Sequence, residues 1–387
     1  MAHGQHRHAM LPDEGHDDLA REGFVQAFKA HIAERITPGV RELHDHRAAP
    51  RWAQRHGRPP SDRHEVREAL SDEPYYRLWS SFRRASQDLL WNTVNNVIER
   101  QVDELAQRAR KVDRGLGSLE LDPALQVPWY QWGVDIHAMP GGYRGEYVEG
   151  DVAVGALYDR GVYVYAMGQM GEMNDDYGQS IVENYLKVEH PDLAPARILD
   201  MGCTVGNATL PYVDAYPRAE VHAIDVGAPV LRYAHARAES LGKKVHFSQQ
   251  NAERTSFPDE HFDLVVSHIL LHECPPDALR NILKETHRLL KPGGLMVHAD
   301  FPGYGGMDAL TQAMIDWDTY NNNEPFWGPM RDMDLVAAAR EVGFSGDCSE
   351  LSCPRFCVEE VMAPTGRILQ SGDVRRTGQL WLLVGRK

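Results

Sequence analysis

The stretch Ser267–Pro276, SHILLHECPP, sets two histidines four residues apart, His268 and His272, with Glu273 directly after the second. Imidazoles at that spacing can ligate a metal, and an imidazole beside a carboxylate can take a proton near neutral pH. The zinc protease pattern H-E-x-x-H places its glutamate after the first histidine of a regular helix. Here the order is H-x-x-x-H-E, and Pro275 and Pro276 suit a helix's first turn and not its interior, which argues against a helix through the pair. The run FDLVVS reads as a strand ending at Ser267, so His268 to Cys274 form a loop over the carboxyl edge of a sheet. His298 and Asp300 end a later apolar run, GLMVHAD, and approach the same crevice. Imidazole and carboxylate chemistry would let His268, His272, His298, Glu273 and Asp300 hold a transition metal. Alternate residues of a strand face opposite sides, and no residue is assigned to a metal.

The elements that must position these groups begin near Asn174. ARILDMG, EVHAIDVG, FDLVVSH and GLMVHADF are β-branched or apolar runs, separated by helical segments such as VLRYAHARAESLG and PDALRNILKETHRLL. That alternation specifies an α/β fold with a doubly wound parallel sheet, and QLWLLVGRK adds a last strand. The first strand runs into Asp200-Met-Gly202-Cys-Thr204-Val-Gly206, a glycine turn that lets backbone approach a ligand closely. Asp225 closes the second strand, where a carboxylate can accept both hydroxyls of a ribose. A dinucleotide fingerprint needs G-x-G-x-x-G, whereas this turn offers Gly202-x-x-x-Gly206.

DMGCTVG, AIDVG, QNAERTSFPDEHFDLVVSHILLHE and RLLKPGGLMVHAD, in that order, resemble the class I S-adenosylmethionine-dependent methyltransferases over roughly residues 175–387. The resemblance implies a Rossmann-like sheet of seven strands with the last antiparallel, and S-adenosylmethionine as cofactor. By position, Asp200, Gly202, Thr204 and Gly206 would surround the methionine part, Asp225 would hold the ribose, Asn251 and Ala252 would sit beside the adenine, and His268 would line the donor site. Thr204 stands where the family has a middle glycine; with φ below zero it would fit a slightly wider turn. LLHEC resembles the loop of small-molecule O-methyltransferases in which a histidine takes the acceptor's proton. Carried over, His272 is the general base and Glu273 orients or neighbours it. The histidine-rich crevice also resembles 2-oxo-acid C-methyltransferases, which implies metal-assisted C-methylation as an alternative; a cofactor-binding regulatory protein without turnover is another.

Before this region, residues 17–35 place Leu19, Phe24, Val25, Phe28 and Ile32 on one helical face. Residues 40–70 lack periodicity and read as an exposed connection, after which Ser71 caps a long helix through about Lys111. Residues 115–171 are rich in Gly and aromatics, with one helix near 151–167; Trp129, Tyr130, Trp132, His137, Tyr158, Arg160, Tyr163 and Tyr165 mark a small-molecule pocket. Two parts follow: a mainly helical region over 1–150 for dimerisation and substrate, and a methyltransferase domain over 151–387. An insertion near 301–330 would cover the substrate with Tyr304, Trp317, Tyr320, Asn321, Phe326 and Trp327. The long helices and the resemblance together imply a homodimer.

A chain of 387 residues with 42% apolar and 25% charged residues suits a soluble globular protein of two domains. Its net charge of −15 argues against nucleic acid, and no apolar run approaches the ~20 residues of a membrane span. Five cysteines, and a start without an apolar stretch of signal-peptide length, point to a reducing cytoplasm. Cys348, Cys353 and Cys357 form no closed zinc pattern and read as buried or edge thiols. The histidines of the first 64 residues lie in polar sequence read as mobile, with no fixed geometry to select a metal. The expected function is methyl transfer to a small-molecule acceptor, at a hydroxyl with His272 as base.

Overall fold

In the computed structural model, which describes residues 4–344, 348–356 and 378–387, eight strands form one sheet. They are β1 (Ser118–Glu120), β2 (Arg197–Met201), β3 (Glu220–Asp225), β4 (His246–Gln249), β5 (Phe262–His268), β6 (Leu290–Asp300), β7 (Ser349–Pro354) and β8 (Gln379–Arg386). The spatial order is β1-β4-β3-β2-β5-β6-β8-β7, with β8 antiparallel to both neighbours and every other pair parallel. Seven strands were expected, and the eighth is β1 from the N-terminal part, paired with β4 from Ser118↔His246 to Glu120↔Ser248. Its three residues carry no apolar run. It reaches the edge because Gly117 lies against the Val245 carbonyl, which a Cβ there would approach to 2.1 Å.

The inner strands bury both faces, so they read as continuous apolar runs. Along β2 and β8, Leu199, Met201, Trp381 and Leu383 face the helices Pro276–Leu289 and Leu335–Glu341, while Ile198, Leu380, Leu382 and Val384 face the other layer. The glycine turn and the loop after β5 therefore both emerge at the carboxyl ends of adjacent strands β2 and β5.

The N-terminal part departs from expectation in three places. Helix His16–His31 buries Asp18, Glu22, Val25 and Lys29, leaving Leu19 and Phe24 exposed, because Arg160 reaches Glu22 and Lys29 reaches Gln87 from the protein side. Residues 40–70 are not an exposed connection. They form helices Thr37–Leu43, Ala49–His56 and Arg63–Ser71, with Pro38 and Pro50 in first turns and Asp62 capping the last. Their buried Val40, Trp52, Val66 and Leu70 pack with Trp79 and with Leu310, Ala313 and Trp317 of the predicted insertion. The long helix starts at Pro74, not Ser71, and breaks after Glu99 before resuming as Val102–Val112.

The predicted helix near 151–167 is Ala153–Tyr165. Gly155 lets it press on the helix Ala228–Ser240, since a Cβ there would meet the Tyr233 Cβ at 2.2 Å. At this contact Asp159, fully buried, receives hydrogen bonds from Tyr233 Oη at 3.0 Å, Arg237 Nε at 3.1 Å and Gln5 Nε2 at 3.0 Å, and His8 Nε2 lies 3.2 Å away. Gln5 and His8, in sequence read as mobile, are thus pinned, with Met10 and Leu11 buried behind them. Cys348 and Cys353 are buried thiols, and Cys357 lies outside the described residues. Among the described residues, no helix is long and apolar enough to cross a membrane.

Removing one partner of a buried ion pair strands the other charge. Asp159→Ala should therefore cost about 3–5 kcal/mol in urea unfolding by uncompensating Arg237. A loss below about 1 kcal/mol would show that this contact does not hold the N-terminal part to the sheet.

Candidate active site

At the end of β2, Asp200 is clamped. Its Oδ2 accepts from Thr209 Oγ1 at 2.5 Å, and its Oδ1 lies 3.2 Å from His268 Nδ1, whose Nε2 is 3.0 Å from the Tyr212 hydroxyl. Gly202 and Gly206 have φ of 72° and 69°, as the turn requires. Thr204 does not take the negative φ expected of it: at φ 45° it lies in the left-handed region, a strain of about 1–2 kcal/mol. The cause is Asp225, whose Oδ2 accepts the Thr204 N–H at 3.0 Å while Oδ1 accepts the Gly227 N–H at 2.8 Å. Burial pushes the Asp225 carboxyl up to about 6, against these backbone bonds. Asn251 Oδ1 accepts the Glu253 N–H at 2.9 Å, and Ala252 is buried beside it.

Two cavities meet over this turn. One is lined by Asp225, Val226, Asn251, Ala252, Leu270 and Ile282; the other by Asp200, Asn207, His272, Phe301, Glu324 and Trp327. Gly202, Thr204, His268, Ile269, His137 and Tyr158 border both. Ile269, a β-branched residue, is held at φ 61° by an N–H bond to the Ala299 carbonyl at 2.8 Å.

His272 is fully buried in the loop after β5. Its Nδ1 lies 2.7 Å from Asp300 Oδ1, while Asp300 Oδ2 accepts the backbone N–H groups of Leu271 and His272 at 2.8 and 3.2 Å. Nδ1 faces the Asp300 carboxyl and donates to it, and in the neutral ring Nε2 carries the lone pair. Burial disfavours the imidazolium, but Asp300, Glu273 and Glu324 outweigh it and raise the pKa. Glu273 is a neighbour of His272, with Oε1 3.7 Å from Nε2, and the orienting contact belongs to Asp300. The Glu273 carboxylate instead receives the Tyr143 hydroxyl at 3.1 Å and faces His137 Nε2 at 2.9 Å. His137 Nδ1 contacts Glu324 Oε1 on its other side, and Glu324 Oε2 lies 3.8 Å from His272 Nε2. The ring of Trp327 covers His272 at 4.8 Å and that of Phe301 at 5.4 Å.

Of the crevice residues named from sequence, the structure assembles His272, Glu273 and Asp300, with His268 one step away on Asp200. His298 is apart: its Nδ1 lies 2.7 Å from Ser267 Oγ and its Nε2 3.4 Å from Thr286 Oγ1, and burial lowers its pKa to about 4. Of the aromatic set, Tyr165 lines the cavity beside His272, Tyr130 the other, and His137 and Tyr158 both. Trp129 and Trp132 are exposed, and Arg160 is turned to Glu14 and Glu22. Of the six insertion residues named from sequence, Trp327 alone lines the two cavities over the turn; Tyr304 and Trp317 are buried against Arg63 and Trp79, and Tyr320 lies half exposed over Arg67. Glu324 and Tyr143 were missed. Glu324 had one signal, an acid set directly before Pro-Phe-Trp in a segment expected to cover the site.

Residues 198–294 match the family described as "Methyltransferase domain". Over 109 residues the chain is 35% identical to a demethylmenaquinone methyltransferase of Thermus thermophilus, covering 28% of this chain and 49% of that protein. Over 145 residues it is 28% identical to a malonyl-[acyl-carrier protein] O-methyltransferase of Methylococcus capsulatus, covering 37% and 48%. The chain spans about half the length of these curated relatives. Among solved structures it is similar to phosphoethanolamine N-methyltransferase 2 of Haemonchus contortus in complex with S-adenosyl-L-methionine, at 16% identity and a TM-score of 0.42, covering 59% of this chain and 57% of that one. Residues 198–294, which hold the glycine turn and strands β3 to β5, thus carry a methyltransferase domain, in line with the resemblance to the class I S-adenosylmethionine-dependent methyltransferases.

Proposed function

We propose that the protein transfers a methyl group from S-adenosylmethionine to a hydroxyl of a small-molecule acceptor, with His272 as general base. The observation that carries this reading is His272 Nε2, a buried nitrogen without a hydrogen-bond partner on a residue lining the cavity beside the glycine turn, while Nδ1 is held by Asp300. O-methyl transfer is also the activity named for the Methylococcus relative.

The crevice fits the cofactor. Two cavities joined over Gly202 and Thr204 match a nucleoside linked to an amino acid, and the Asp225 carboxylate, with about four acceptor sites, is not filled by its backbone bonds to Thr204, Val226 and Gly227. In this reading Asp225 takes the ribose hydroxyls, Asn251 and Ala252 flank the adenine, and Asp200, Gly202, Thr204 and Gly206 surround the methionine part with His268 on its wall. When bound, S-adenosylmethionine supplies a methyl carbon on a positively charged sulfur, which an oxygen attacks as the carbon–sulfur bond breaks and its electron pair returns to sulfur. The acceptor's hydroxyl proton passes to His272 Nε2, and Asp300 stabilises the imidazolium that results. Trp327, Phe301, Tyr158 and Tyr165 exclude water and hold the acceptor in line.

His272→Ala should lower kcat by about 10²–10⁴-fold for every acceptor the wild type methylates, leaving S-adenosylhomocysteine affinity intact by calorimetry. Unchanged turnover would remove His272 as the base. Ribose hydroxyls donate to an ionised carboxylate, and free Asp225 titrates at about 6, so affinity should be full above that pH and weaken below it. Calorimetry of S-adenosylhomocysteine should show a fall of up to about tenfold per pH unit below 6, absent in Asp225→Asn. A flat profile in the wild type would take Asp225 out of the ribose role.

A further inference from the structure

We infer that His137, His272, Glu273 and Glu324 bind a divalent first-row transition-metal ion. One ligand atom from each lies within 4.8 Å of the others, and ligands at about 2.1 Å from one ion stand at most about 4.2 Å apart, so the ion needs only a local adjustment in which His137 gives up one of its two carboxylate contacts. His272 Nε2, Glu273 Oε2 and Glu324 Oε2 are all buried and have no hydrogen-bond partner, on side chains more than nine-tenths buried. An ion-pair lattice around His137 accounts for the other oxygens of the two glutamates and leaves these three atoms unexplained. A buried polar atom without a partner is costly, and an ion held by these neighbouring residues would supply the missing partner.

The surroundings are those of ligands held from outside. Asp300 fixes His272 through Nδ1, and Tyr143 donates to Glu273, the outer contacts that orient metal-binding side chains. His137 is kept at φ 58°, a strained conformation for its type, by Gln87 Nε2 and Trp91 Nε1 donating to its carbonyl at 3.0 and 2.8 Å. Two imidazoles with two carboxylates suit manganese, iron, cobalt, nickel or zinc better than calcium or magnesium, which prefer oxygen alone. Ion binding does not depend on the function proposed above; its consequence for the acceptor does. The ion takes the Nε2 lone pair, so in the loaded protein an acceptor oxygen on its open side is activated by the ion's charge instead of by imidazole.

The test uses the full chain, stripped with a chelator, dialysed, and titrated with Co²⁺ by visible absorption and with Zn²⁺ by calorimetry. One ion per chain is expected. Glu324→Gln and His137→Ala should weaken binding more than about 100-fold, and Asp300→Asn about 10–100-fold, with near-ultraviolet circular dichroism reporting that each variant is folded. His235→Ala, in the separate Asp113–His235–Glu239 cluster, should change nothing. No uptake, uptake that survives Glu324→Gln in folded protein, or uptake lost in His235→Ala would overturn the inference. Methyl transfer by stripped protein that takes up no ion would sink the metal site and leave the methyl-transfer reading; ion uptake without S-adenosylhomocysteine binding would do the reverse.

Discussion

Three buried carboxylates and two imidazoles lie side by side at the carboxyl edge of the sheet. Glu273, Glu324 and Asp300 are 6%, 4% and 2% exposed, and a carboxylate that far from water survives ionised only if cations or donors face it. His272 faces all three acids, and His137 faces both glutamates. Removing any member leaves a buried charge unanswered, so the segments that carry them must arrive together. This constraint explains why parts of the chain far apart in sequence are packed so closely here.

The sheet supplies the first members through register. Pairing of His268 with Ala299 brings the end of β6 under the loop after β5, and Asp300 then reaches both the ring and the backbone of His272. The other members come from outside the sheet. His137 depends on the long helix Pro74–Glu99, whose Gln87 and Trp91 grip its carbonyl. Glu324 depends on the insertion, which is tied to the same helix by Arg83 on Asp318 at 3.3 Å and by Trp79 against Trp317 at 5.8 Å. The N-terminal helices therefore act as the frame on which the second half of the site is mounted.

Strain collects at this edge. His137, Thr204 and Ile269 are non-glycine residues at positive φ, and all three border both cavities. Each is held by a named hydrogen bond to or from its own backbone: Asp225 for Thr204, Ala299 for Ile269, Gln87 and Trp91 for His137. The strain is offset elsewhere, by strands whose two buried faces leave them no other register.

Some of this was legible in the sequence because it is local. A period of two or a short apolar run gives a strand, a glycine between strand and helix gives a tight turn, and prolines after SHILLHEC keep a regular helix from running through both histidines; these rest on neighbouring residues, and the structure has the strands and the turn, with His268 closing β5 and only a single 3-10 turn at Leu271–Glu273. Residues 40–70 misled for the converse reason: their few buried side chains gain their burial from the insertion some 250 residues away, as in Arg63 to Asp316 at a separation of 253. β1 is three residues with a single apolar side chain, Leu119, and is visible only once β4 offers it an edge. By itself, then, the sequence determined the parallel sheet, the glycine turn and the loop bearing His272 and Glu273. Tertiary structure alone decided that Asp300 holds His272, that His298 turns away, and that His137 and Glu324 join the cluster, because a buried charge is placed by what surrounds it in space, and here Glu324 lies 187 residues from its partner His137 along the chain.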